Sequence, residues 1–107
     1  MYVTSEEEAE AAKRRGEKVA EWLHHEMRLG AFSEKEAKHA FYIEGVSKFL
    51  DRIFRDKDDA KDVPSEVWEY ILACDYSCSE NAYKARWYSS LNLGLHRRWR
   101  QLQKTEI

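Results

Sequence analysis

Apolar positions recur along this chain at spacings of three and four, the pattern of amphipathic helices rather than of strands. Ala9, Ala12, Gly16, Val19 and Leu23 make the first row, a narrow seam of small and aliphatic side chains. Thr4 or Ser5 can cap the helix that carries it. Glu6, Glu7, Glu8 and Glu10 follow where the positive end of the dipole favours carboxylates. Gly30 is placed to end the helix as a C′ residue. The small residues in the first half of the seam predict close approach by a neighbouring helix.

A second start signal lies at Ser33, with Glu36 three residues on, the spacing of a capping box. Tyr42, Val46, Phe49, Leu50 and Ile53 form one apolar face of the helix that follows, while Ala37, Phe41 and Gly45 fall on another side. A helix apolar on two sides is either central in a bundle or half of an interface, so homodimerisation through this helix or the first is an expectation. "RDKDDAKD" at 55–62 reads as a solvated connector. Its carboxylates resemble a calcium loop only loosely, lacking the turn glycine and the closing glutamate. Pro64 introduces a short third helix with Val67, Trp68, Ile71, Leu72 and Cys74 as its expected buried side. Ser79 is then expected to cap a last helix over about 80–104, lined by Trp87, Leu91, Leu95 and Leu102 and flanked by Tyr88, Gly94 and Trp99. The sum is an all-α chain: one domain over 1–107, a compact bundle of about four helices with the third short.

Composition agrees with that fold. Four Trp, six Tyr and four Phe exclude a disordered chain, and one Pro with four Gly leaves few breakers for a turn-rich sheet protein. The first residues lack the basic-then-apolar order of a secretory signal. No apolar run of ~18 residues is present to span a bilayer. Cys74 and Cys78 are spaced i, i+4, not as CxxC, and no second pair completes a zinc site. On one helix they read as reduced packing groups, which makes a cytoplasmic location the expectation.

Charge changes the picture more. The formal net charge is -2, yet residues 80–107 hold six Lys/Arg against Glu80 and Glu106, for +4, leaving -6 for residues 1–79. Arg86, Arg97, Arg100 and Lys104 fall within roughly a 60° sector of the last helix, along about 27 Å of its axis. Lys84 and Arg98 lie on its apolar side, where stems pack and heads reach water. Lys84, Arg86, Arg97, Arg100 and Lys104 are therefore the residues of a nucleic-acid reading. Four phosphate contacts would cost on the order of 10²-fold in affinity between 50 and 200 mM salt. The competing reading is internal. An up-down-up-down bundle places the end of the last helix beside the acidic start of the first, which would pair the cations within the molecule. The segment 66–91 also has the outline of a helix-turn-helix, but without the turn glycine and with an overlong second helix.

Chemistry-bearing motifs are sparse. Two Glu-x-x-His pairs, Glu21/His24 and Glu36/His39, straddle the 30–33 turn. Such pairs on facing helices build di-metal carboxylate sites, which makes His24, Glu36 and His39 the metal candidates. Glu21 points away from the Val19–Leu23 seam, so the expectation is no metal and no cofactor. There is no P-loop, G-x-S-x-G elbow or H-E-x-x-H, and no enzyme is expected. What remains is a small regulatory or inhibitory protein that binds another macromolecule, a protein before a nucleic acid. The composition suits an accessory protein of a phage or plasmid. Aromatic and Arg residues supply typical interface anchors, and Trp22, Phe41, Arg97, Arg98, Trp99 and Arg100 are the expected contact residues.

Overall fold

The computed structural model describes residues 5–55 and 63–104, so the Thr4 cap and the connector over 56–62 lie outside the described residues. Five α-helices are present among the described residues: α1 (Ser5–Arg28), α2 (Glu34–His39), α3 (Val46–Arg55), α4 (Ser65–Ala73) and α5 (Ala82–Lys104). A π-helical turn, Ala40–Glu44, follows α2, and a 3₁₀ turn, Cys74–Tyr76, follows α4. The architecture is all-α.

Two of the expected helix ends form as their residues dictate. Gly30, at φ 87°, closes α1 in a Schellman motif: its N–H donates to Met27 O, and the Ala31 N–H donates to Glu26 O. The Ser33 hydroxyl accepts from the Glu36 N–H at 3.1 Å while the Glu36 carboxylate accepts from the Ser33 N–H at 3.4 Å, completing the capping box. The last helix starts differently from expectation. Asn81, not Ser79, caps α5, its Oδ1 accepting from the Tyr83 N–H at 2.9 Å, while Ser79 Oγ accepts from Asn81 N.

The expected second helix is broken. Gly45 takes φ 101°, a backbone that only glycine adopts readily, and separates α2 with its π turn from α3. The two apolar sides thereby belong to two elements. Ala37, Ala40 and Phe41 are buried before the break, and Val46, Phe49 and Leu50 after it. The periodicity had suggested one helix with two greasy faces and a dimer seam; the break removes that reason for a seam. It also leaves Tyr42 and Ile43 on the outside of the π turn, Ile43 at 76% exposure.

The extra element changes how the ends of the chain meet. Glu8 lies against Tyr83, Arg86 and Trp87. Gly16 faces Leu91 and Leu95, and Gly94 faces Lys13. Glu21 pairs with Arg98, and His24 meets Trp99. Residue numbers rise together along both helices, so α1 and α5 run parallel. The antiparallel arrangement expected of four helices is corrected: with one more element between them, the last helix returns in the direction of the first.

The α1–α5 contact is the centre of the molecule. Ala12, Val19, Leu23, Leu91 and Leu95 are fully buried there. Gly16 and Gly94 let the backbones touch, because a Cβ at either would overlap the facing main chain. α4 lies antiparallel across both, tied to α1 by Arg15–Glu69 at 3.2 Å and Lys18–Glu66 at 3.5 Å. The Tyr70 hydroxyl donates to Asn92 Oδ1 of α5 at 3.3 Å. The buried side of α4 is Val67, Tyr70 and Ala73, with Ile71 and Cys74 half-buried. Trp68 and Leu72 were expected inside but face outward, Leu72 at 63% exposure, because α4 sits in the α1–α5 groove and turns its Tyr70 edge down. Cys74 and Cys78 do not share a helix: Cys74 caps α4 and Cys78 lies beyond the 3₁₀ turn. Both are free thiols, and Cys74 Sγ donates to Tyr70 O. Phe32 packs edge-on against Phe49 at 5.1 Å, joining the α1–α2 corner to α3. No helix of the described residues is long and apolar enough to cross a membrane.

Candidate functional site

The outer face of α5 is a charged surface of one sign that the fold leaves open. Between Ala82 and Lys104 there are six Lys/Arg and no Asp or Glu. Arg86, Arg97, Arg100 and Lys104 are all exposed, as their shared sector requires. Leu93, 39% exposed, sits among them. Arg97, Arg100 and Lys104 form no ion pair within 4 Å with the described residues. Internal neutralisation was the expectation for this row, and the parallel topology withdraws most of it. The acidic first turn of α1 lies beside the start of α5, not its end. Glu10 is the nearest exception, but its carboxyl is held below the usual range chiefly by a hydrogen bond from Lys13, with Arg97 the weakest of its charge neighbours.

The other expected contact residues divide. Phe41 and Trp99 are not on the surface. They stack at 4.2 Å and 14° between ring planes, with exposures of 7% and 1%. The helical wheel had left Phe41 off the main face, and the break at Gly45 turns it inward onto α5. Trp22 is half-buried against the core. Arg98 reaches across to Glu21 at 3.0 Å, a pair between neighbouring helices rather than a free contact. Lys84 stands off the basic row, its ammonium 4.9 Å from the centre of the Tyr76 ring.

The metal candidates do not converge. Glu36 is engaged in the capping box. His24 is buried edge-on to Trp99, and His39 is exposed with Nε2 3.9 Å from Glu44 Oε2. Glu21 is committed to Arg98. Among the described residues no group of three or more His, Cys, Asp or Glu side chains could hold a metal ion. The helix-turn-helix outline also fails in detail: eight residues separate α4 from α5, and Asn81 is spent on the cap.

Sequence reasoning missed a cleft beside the start of α5. Glu8, Ala11 and Arg15 of α1 form one wall; Tyr76, Tyr83, Lys84 and Trp87 form the other, around a volume of about 550 Å³. The Tyr76 and Trp87 rings lie 6.2 Å apart, and Tyr83 is 55% exposed. Arg86 joins Glu8, Tyr83 and Trp87 around an adjoining narrow recess, which links the cleft to the basic row. The Tyr83/Trp87 spacing was readable, but their facing Tyr76 depends on the turn after α4. A broad, shallow concavity of about 720 Å³ also lies at the α1–α2 corner, around Met27, Phe32 and Glu36.

At the far end of the row, His96 is half-buried edge-on to Phe41 at 5.5 Å. Burial first, and the Arg100 guanidinium second, push its pKa below 6.5. Compared with known proteins, the chain matches no family model, no curated protein and no solved structure.

Proposed function

We propose that this chain is a non-catalytic binding protein, regulatory or inhibitory in role, that docks the outer face of α5 on an acidic surface of a protein partner in the cytoplasm. The observation that carries this reading is the row Arg97, Arg100 and Lys104: exposed, unpaired among the described residues, and on a helix that holds six cations and no carboxylate. Unpaired cations on a rigid element lose little on docking and gain from complementary charge, mainly in encounter rate and specificity. Free thiols at Cys74 and Cys78 accord with a reducing compartment.

A nucleic acid is the second reading, favoured by the length of the same row. Against it, Glu6, Glu7 and Glu8 stand at the end of α1 that flanks Tyr83 and Arg86. A polyanion laid along the whole of α5 would meet them.

The test is affinity capture from the native cell with wild type and an Arg97→Glu/Arg100→Glu double variant, with a parallel salt titration against duplex DNA. A protein captured by wild type, lost in the double variant and weakened by salt is the expected result. Equal capture by both forms refutes the surface assigned. Tight, salt-dependent DNA binding, with a loss on the order of 10²-fold between 50 and 200 mM salt, transfers the assignment to nucleic acid.

A further inference from the structure

We infer that the cleft beside the start of α5 is an anchor pocket for an aromatic side chain, tyrosine above all, in an acidic polypeptide segment whose carboxylates run along the basic row. The inference rests on the docking role of α5 and adds the partner's chemistry.

The cleft has the size of a side-chain or small-ligand pocket and an aromatic lining. Tyr83 stays half-exposed beside Trp87 instead of folding into the core. Its backbone is pinned by the Asn81 cap, so the ring is presented at little further cost in entropy. An incoming ring can cover Tyr83 and Trp87, the kind of burial that concentrates binding energy in one residue. On the rim, Lys84 lies over the Tyr76 ring and supplies a positive charge, while Arg15 is paired with Glu69. Arg86 then leads to Arg97, Arg100 and Lys104, a distance of about 27 Å that some eight extended residues cover.

Glu8 lines the cleft from the α1 side. A tyrosine hydroxyl can donate to a carboxylate in the lining; a phenylalanine cannot. The same carboxylate argues for a peptide over a nucleic-acid strand. A polyphosphate is charged at every link and would be repelled beside Glu8, whereas a polypeptide can place its neutral anchor there and its acids further on.

The experiment compares binding of wild-type protein to poly-glutamate and to a glutamate-rich random copolymer of glutamate and tyrosine of equal length, at low salt, by fluorescence anisotropy. The copolymer should bind on the order of tenfold tighter. Tyr83→Ala, which removes an exposed ring and spares the core, should abolish that preference while leaving poly-glutamate binding unchanged. Arg97→Glu/Arg100→Glu should weaken both. A Tyr83→Ala circular dichroism spectrum that matches wild type checks that a lost preference is not lost folding. Parity between the polymers for wild type overturns the anchor pocket and leaves the basic row standing. Failure to bind either polymer overturns both. Preference for a single-stranded oligonucleotide of matching length over the copolymer overturns the choice of partner.

Discussion

Replacing Gly94 with alanine should unfold this protein more effectively than removing most of its surface charges. A helical Gly→Ala change at an open position gains about 1 kcal/mol from lower chain entropy. Gly94 is not open. A Cβ there would lie 2.8 Å from the carbonyl carbon of Lys13, and closer still to its oxygen, where ordinary contact begins near 3.4 Å. The obstacle is backbone, so no side chain can rotate away, and α1 and α5 must separate. A radial gap of ~0.5–1 Å forfeits a quarter to a half of the dispersion attraction across it. Leu91 and Leu95, both fully buried on this contact, lose most. A quarter of one buried leucine's contacts is already about 1–3 kcal/mol, to which overpacking strain adds about 1–3 kcal/mol. Set against the helical gain, the net loss is about 3 kcal/mol, or roughly 10–25 °C in Tm for a chain of this size. Urea and thermal unfolding followed by far-UV circular dichroism measure it. A Gly94→Ala protein as stable as wild type, or more so, would refute the close parallel pairing on which the placement of α5 rests.

Trp99 and the outward arginines of "RRWR", residues 97–100, should behave oppositely. Trp99→Ala, in the core, should cost about 3–5 kcal/mol, whereas Arg97→Ala/Arg100→Ala should stay within about 0.5 kcal/mol per site; chemical denaturation of the two variants checks both. Stability should also decline in mild acid. His96 titrates below 6.5 when folded and near 6.5 when unfolded, so the unfolded chain binds the proton more readily. Its contribution is therefore complete above the unfolded value and is lost as pH falls through and below it, levelling once the folded form is protonated too. Urea midpoints between about pH 7.5 and 5 should fall for wild type and flatten in a His96→Gln variant; equal slopes would deny His96 that role.

Much of the local architecture was legible because its causes are local. Capping at Ser33 and the stop at Gly30 need only the few residues that form them. The α1 seam and the outward side of the cations on α5 follow from a 3.6-residue period alone. The break at Gly45 was hidden because its flanks are apolar in either register, and periodicity cannot tell one two-sided helix from two one-sided pieces. Once the chain turns there, the rest is decided by packing at long range: Phe41 swings under Trp99, α4 rolls to expose Trp68 and Leu72, and α5 comes back beside α1 in the same direction. Which charges become neighbours depends on that direction, and a linear pattern carries no sign for it. The cleft of Tyr76, Tyr83 and Trp87 exists for the same reason, since its walls come from segments that only tertiary contact brings together.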